Sequence, residues 1–501
     1  MSANGVVRRL SKQLGIATVL GSGMNVHLIL FTRFARMSAY GSSTLILALY
    51  FAALEYSDTE IGLFMTLTLI GDVLISLLLT VVADSLGRRR ILTLGSLLMA
   101  LSGVCFATAT SYWILLLAAV VGVISPSGNE IGPFRAVEES TLAHLSEAET
   151  RSDIFAWYVV LGTLGASLGS LACGWITQAL QSGGWTEIAS FRLVFWVYAA
   201  IGVVKAAVTL LLDHRCEASV FRTTHASFTD EQAEGGEGSE GFLLMERQPS
   251  EAAPRSPPKW KSMFAQISRK SRRTLVKLCG LFFFDSLASG MVPNSLIAFY
   301  LERKFAMSEG RLGSIISVAQ FMSSLGNVFA SSIAKRIGLV RAMVYTHLPS
   351  AIFLALLPAP SSLFLTVVLL VARASLASMD QAPRSAFLSA VVLPEERTAV
   401  MGIVNTVKTM SQSSGPLITG SLAGSDRFWI AFVVAGSLKV GYDLGMLHMF
   451  LNIKLEGDRG AQNPETNERE RATVHEELHA LASDDDDDGE LELDDLKPPN
   501  S

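Results

Sequence analysis

The chain has 501 residues, half of them hydrophobic and only 17% charged, with 40 glycines and a formal net charge of −5. A soluble protein of this length carries more charge and shorter apolar runs. Stretches of about 20 apolar residues, each enough to cross a bilayer core of about 30 Å as a helix, instead define an all-α polytopic membrane protein. The negative balance sits in the C-terminal tail, where Asp484 to Asp488 run unbroken, and nothing in the membrane part offers a nucleic-acid surface.

In chain order, residues 1–26 are a short lead carrying Arg8, Arg9 and Lys12, without the apolar core and cleavage site of a signal peptide. A first apolar span, His27 to Leu54, contains Arg33 and Arg36, and an acidic connection, Glu55 to Glu60, follows. Ile61 to Val82, Ile91 to Thr110 and Trp113 to about Leu142 are the next three spans, the last growing more polar through Pro126, Glu130, Pro133 and Glu138. Ile154 to Leu180 is rich in glycine (Gly162, Gly165, Gly169, Gly174), a spacing that lets membrane helices approach closely. Phe191 to Leu212 completes a first half over 27–212.

Residues 213–277 then lose the apolar pattern and read as a disordered linker ending in Arg269, Lys270, Arg272, Arg273 and Lys277. Six further spans fill a second half over 278–451: Leu278 to Leu301, Leu312 to Ile333, Leu339 to Leu356, Leu363 to Val392, Val400 to Leu422 and Phe428 to Leu451. Residues 452–501 form an acidic, disordered tail. The halves repeat: Ser57 to Gly62 aligns with Ser308 to Gly313, which sets Gly87 against Gly338, and Glu130-Ile-Gly-Pro133 parallels Asp380-Gln-Ala-Pro383. Two parallel six-helix repeats place a solute path between them.

The turn after the second span reads Thr80-Val-Val-Ala-Asp-Ser-Leu-Gly-Arg-Arg-Arg90. Ala83, Asp84, Gly87, Arg88 and Arg89 resemble the signature loop between helices 2 and 3 of the major facilitator superfamily, although Thr80 and Ser85 stand where that pattern has glycine and arginine. Leu393 to Gly402 resembles the family's helix 10 to 11 junction. The resemblance implies twelve helices in two repeats and alternating access. It also implies a cytosolic gate of Asp84, Gly87, Arg88, Arg89, Glu395 and Arg397, with Asp84 near the start of the helix that opens at Thr398. The alternative for Asp84 and Arg88 is mutual neutralisation at a wet surface.

Basic clusters at 8–12, 88–90, 269–273 and 335–341 share one side of this topology, which makes both termini, the linker and the tail cytosolic. Arg303, Lys304 and Arg311 run against that trend. Charges inside spans are expensive unless they face a cavity or a partner. Spans 1, 4, 7 and 10, expected to line the cavity, offer Arg33, Arg36, Glu130, Asp285, Arg373 and Asp380 as substrate or proton sites. Asp285 either carries a proton or pairs with Arg36 across the cavity. Arg135 with Glu138 and Asp380 with Arg384 are spaced to neutralise each other on one helix face. Asp72 and Lys408 are isolated charges expected to find structural partners, and His27, His347 and His448 read as packing residues.

Cys105, Cys173, Cys216 and Cys279 form neither a disulfide framework nor a metal-ligand spacing, and no phosphate-binding Gly-x-x-x-x-Gly-Lys loop is present. The expectation is a monomeric secondary transporter in the plasma or an organelle membrane, with no cofactor and no metal, moving a small solute together with or against protons. The rivals are an uncoupled facilitator and a non-transporting membrane sensor of the same fold. No catalytic constellation points to an enzyme.

Overall fold

The computed structural model describes residues 15–122, 124, 133–147, 150–213, 216, 269–391 and 397–450, and every regular element among them is a helix. The first half contains α1 (Ile16–Leu20), α2 (Met24–Ala53), α3 (Asp58–Leu86), α4 (Arg88–Thr108), α5 (Tyr112–Gly122), α6 (Pro133–Leu145), α7 (Arg151–Ser182) and α8 (Glu187–Leu210). The second contains α9 (Arg269–Met291), α10 (Asn294–Phe305), α11 (Glu309–Ile337), α12 (Leu339–Leu356), α13 (Leu363–Ala377), α14 (Gln381–Val391), α15 (Arg397–Ala423) and α16 (Phe428–Phe450). Spans 4, 7 and 10 are each built from two helices in series, where the sequence reading drew them as continuous. Pro293 cannot donate to the ladder and separates α9 from α10, and Pro133 opens α6 at a position where its missing N–H costs nothing. Span 7 also begins earlier than the apolar pattern suggested, because the basic run from Arg269 is already helical.

The repeat is visible in the packing. Span 1 lies against span 5 and span 3 against span 6, and in the second half span 7 lies against span 11 and span 9 against span 12. Gly87 (φ 88°) and Gly338 (φ 87°) both take the left-handed conformation that a side chain would strain, at the matching reversal in each half. The outside is apolar: Trp113, Leu117, Trp175, Leu211 and Phe364 are exposed, as expected for a surface that meets lipid. Six helices among the described residues are long and apolar enough to cross a membrane on length and composition alone.

The halves touch chiefly along two seams, α3 with α15 and α7 with α11, with a lesser contact of α2 with α10. Both seams lie toward the end of the bundle that carries the 54–57 and 306–308 connections. A methyl on Gly62 would strike the Pro416 carbonyl and the Gly420 backbone, and one on Gly174 would strike the Glu309 carbonyl and Gly313. Hydroxyls fill the rest. Thr163 Oγ1 donates to Ser324 Oγ at 2.7 Å, Ser167 Oγ donates to the Ser317 carbonyl at 3.0 Å, and beside Pro416 the Leu417 amide donates to Thr66 Oγ1 at 3.0 Å. Arg303 and Lys304, the outer basic residues, have local explanations. Arg303 Nη1 pairs with Asp58 Oδ2 across the halves at 2.6 Å, and Lys304 Nζ donates to the carbonyls of Pro358 and Pro360 at 2.7 Å each.

Replacing Gly174 with leucine is expected to wedge this end apart. A single cysteine placed at Ser314 should then become reactive to a membrane-impermeant maleimide in the Gly174→Leu background while staying protected beside Gly174.

Candidate functional site

Each half encloses a cluster of ionised side chains at the middle of its helices. In the first, Arg36 on α2 donates from Nη2 to Glu138 Oε2 at 2.6 Å, and Tyr158 OH on α7 donates to the same oxygen at 2.8 Å. Lys205 Nζ on α8 lies 3.5 Å from the other carboxylate oxygen. Glu138 is only 1% exposed, so its charge is met almost wholly by these three groups. Arg33, one turn before Arg36, lays its guanidinium over the Tyr158 ring at 4.5 Å, in the space that Gly162 leaves open.

In the second half, Asp285 on α9 receives Lys439 Nζ of α16 at 2.7 Å on one oxygen and Arg384 Nη1 of α14 at 2.9 Å on the other. Arg384 also binds Asp380, one helical turn before it. Lys439 donates again to Ser289 Oγ at 2.7 Å. His347 on α12 places Nδ1 2.9 Å from the Asp443 carboxylate and Nε2 3.8 Å from Asp285. Tyr442 closes the cluster, its ring edge-on to His347 and beneath the Arg384 guanidinium.

The clusters are related by the repeat. Arg36 and Asp285 each stand five residues before a glycine (Gly41, Gly290) whose missing side chain lets span 1 or 7 touch span 5 or 11, at Ala166 and Gln412. Lys205 and Lys439 each stand three residues after a glycine (Gly202, Gly436) that packs on Ala100 or Ala355. Equivalent positions of spans 1 and 7 thus carry opposite charges, while spans 6 and 12 both supply lysine.

Several sequence expectations change in consequence. Arg36 does not reach Asp285; each is neutralised inside its own half. Glu138 serves Arg36, and Arg135 instead pairs with Glu139 at 2.7 Å, the i,i+4 partner better placed on a helix. His347 is a buried member of the charge cluster and not a packing residue. Asp72, at the middle of α3 and 2% exposed, has no partner among the described residues, and its Oδ1 accepts no hydrogen bond. Lys408 lies against the Phe282 ring, at 5.4 Å. Phe282 is buried in this cluster, whereas Phe283 and Phe284 are exposed.

Of the gate residues, Gly87 starts α4 and Arg89 Nη2 donates to the Leu210 carbonyl at the end of α8 at 3.1 Å, within the same half. Arg88 is partly buried at the first position of α4. Asp84 and Arg397 lie in α3 and α15, but their side chains, like Glu130 and Glu395, fall outside the described residues. Among the described residues no group of histidine, cysteine and carboxylate side chains is arranged to hold a metal. Lys205 of span 6 and Lys439 and Asp443 of span 12 were missed by the sequence reading, which looked for charge in the expected cavity helices. The Gly-x-x-Lys repeated at 202–205 and 436–439 is the signal that would have found them.

Two interlocked six-span halves with ionisable groups at mid-depth are the architecture of a membrane transporter. Residues 29–276 and 278–476 match the Major Facilitator Superfamily, and the chain belongs to it. It is 34% identical over 432 residues to the uncharacterized membrane protein YJR124C of Saccharomyces cerevisiae, covering 86% of this chain and 94% of that one. Among solved structures it superposes on the nucleoside transporter NupG with a TM-score of 0.61 at 16% identity, over 86% of this chain and all of the other. The inward-open xylose transporter XylE from E. coli gives 0.59 at 12% identity, over 85% and 96%. The protein is a multi-pass membrane transporter and not an enzyme.

The two buried carboxyls separate cleanly by substitution. Asp285→Asn takes from Lys439 its carboxylate partner and leaves Arg384 with Asp380 alone, and should cost several kcal/mol, about 3 to 5 by analogy with other broken buried pairs. Asp72→Asn removes a carboxylate that makes no ion pair among the described residues and should leave the thermal midpoint of the detergent-solubilised protein unchanged or raised. Equal destabilisation by both would refute this assignment.

Proposed function

We infer that the chain is a secondary active transporter that moves a small solute by alternating access, coupled to protons, and works as a monomer. The observation that supports this most is the placement of the seams: among the described residues the halves meet toward one end, through small and hydroxylated residues, while the charge clusters lie inside each half. Basic residues at 88–90, 269–273 and 335–341 favour a cytosolic position for the opposite end and for both termini, with 213–277 and 452–501 as cytosolic linker and tail. The arrangement then corresponds to a state closed to the outside. Asp84, Arg88, Glu395 and Arg397 are proposed to close the cytosolic end in the other state, where a carboxylate at a helix N-terminus gains about 0.3 to 1 kcal/mol.

Proton coupling is assigned to the second half. Imidazole is the side chain that most readily gains and loses a proton near neutral pH. His347 stands between Asp443 and Asp285, with Lys439, Arg384, Asp380 and Tyr442 as the surrounding charged or titratable groups. A proton arriving on His347 adds a third positive neighbour to Asp285, beside Lys439 and Arg384, and weakens its need for Arg384, which belongs to the half-helix α14. Protonation of His347 thereby biases one of two helix arrangements, as coupling requires.

In sealed proteoliposomes, solute uptake should rise when a proton gradient is imposed and fall when a protonophore collapses it. His347→Gln should retain solute exchange without a gradient while losing the response to one. Uptake indifferent to the gradient in the wild type would leave an uncoupled facilitator, and absence of flux would favour the sensor reading.

A further inference from the structure

Two cations in the second half make no ion pair among the described residues. Arg373 lies on α13 about 15 Å from Leu363 at 1.5 Å per residue, which is the middle of a bilayer core. It continues the stripe of Thr366 and Leu370, both buried, and points away from the face that exposes Phe364, Leu365 and Val368 to lipid. Its backbone carbonyl accepts from Ser350 Oγ at 3.1 Å, but among the described residues no hydrogen bond or ion pair engages its guanidinium. Lys408 lies on α15 at a similar depth, between Val404 and Ser411, both buried. Its ammonium lies 5.4 Å from the Phe282 ring and within the field of Asp285 and Asp380, but the carboxylates nearby are already paired: Asp285 with Lys439 and Arg384, Asp380 with Arg384, and Asp443 with His347.

A guanidinium does not give up its proton in a protein, so it cannot escape the cost of burial by neutralising itself. Charges at this depth are retained where they face a water-filled path and something that passes along it. Resting on the transporter reading, we propose that the solute is an organic anion whose carboxylate or phosphate is received by Arg373, with Lys408 adding positive potential at the same depth. Arginine presents a planar fork that matches a two-oxygen anion, which lysine does not. The rest of the path is uncharged and polar at Gln320 and Gln412, whose Oε1 and Nε2 are buried without partners and can serve the neutral part of the solute. The swap at the repeat-related junctions fits the same picture: Gly162 and Lys408 each stand seven residues before the glycine that contacts span 1 or 7, so the second half carries its cation on span 11 where the first carries Arg33 on span 1.

The test uses the full-length protein, purified in detergent and in proteoliposomes, with matched probes: benzoate, benzamide and benzylammonium, and succinate against succinamide. The anions should raise the thermal midpoint of the wild type and be taken up, while their amides and the ammonium should do neither. Arg373→Gln should weaken anion binding at least tenfold without lowering the unliganded midpoint, Arg373→Lys should recover part of it, and Lys408→Gln should weaken it less. Stabilisation or uptake of the amides or the ammonium equal to that of the anions, or anion binding indifferent to Arg373→Gln, overturns the proposal while leaving transport intact. Absence of stabilisation by every anion overturns it as well. Failure of the transporter reading looks different: every probe binds or not as the chemistry dictates, but none crosses the membrane.

Discussion

The constraint on which the rest of this protein depends is that a carboxylate at the middle of a membrane helix must be answered by cations from neighbouring helices of the same half. Glu138 is met by Arg36 and Lys205, and Asp285 by Arg384 and Lys439. Each pairing ties together spans that are far apart in sequence: 1, 4 and 6 in one case, 7, 10 and 12 in the other. Replacing such a pair by apolar residues often costs nothing, but removing one partner is expensive. The clusters therefore specify which helices belong together more than they add net stability, and they make each half a unit that moves as one.

That constraint also sorts the remaining charges. Once both carboxylate clusters are closed, a solute crossing between the halves cannot compete for Arg36, Lys439 or Arg384 without leaving a buried ion unpaired. Among the described residues, the groups not used inside a half are Arg373, Lys408, Asp72 and the amides of Gln320 and Gln412, from which the proposed solute site is drawn. The division is the physical basis for separating residues that hold a half together from residues that meet the solute, and the two sets differ in what their neutralisation should do to stability.

Much of the architecture was legible in the sequence because it follows from length and periodicity. The twelve spans, the parallel repeat and the glycine reversals at Gly87 and Gly338 all emerge from apolar run length and one aligned motif. The partners of the buried charges were not legible, because a span's sequence shows that it carries a charge but not which way that charge points around the helix. Arg135 with Glu138 looked like a pair from spacing alone, yet tertiary packing turned Glu138 toward Arg36 and left Arg135 to Glu139. His347 reads as a packing or interfacial residue because its span is an outer one, whereas its partner Asp443 comes from another span. The interruptions of spans 4, 7 and 10 were visible only as prolines inside apolar runs, since such runs continue unchanged across a break.

The seams between the halves are made differently from the clusters within them, and the difference is what permits movement. Gly62 against Gly420 and Gly174 against Gly313 bring backbones together over a large area without interlocking side chains. The hydroxyl bonds of Thr163, Ser167 and Thr66 exchange readily for water, each worth about 0.5 to 1.5 kcal/mol net. The one ion pair across the halves, Arg303 with Asp58 among the described residues, is half exposed on the arginine side and worth about 1 kcal/mol or less. Opening this end thus breaks many weak, water-replaceable contacts and no buried charge pair, whereas splitting either half would strand an ion in an apolar interior. With strong compensation confined within the halves and weak, smooth contact between them, the least costly large motion of the molecule is a rocking of one half against the other.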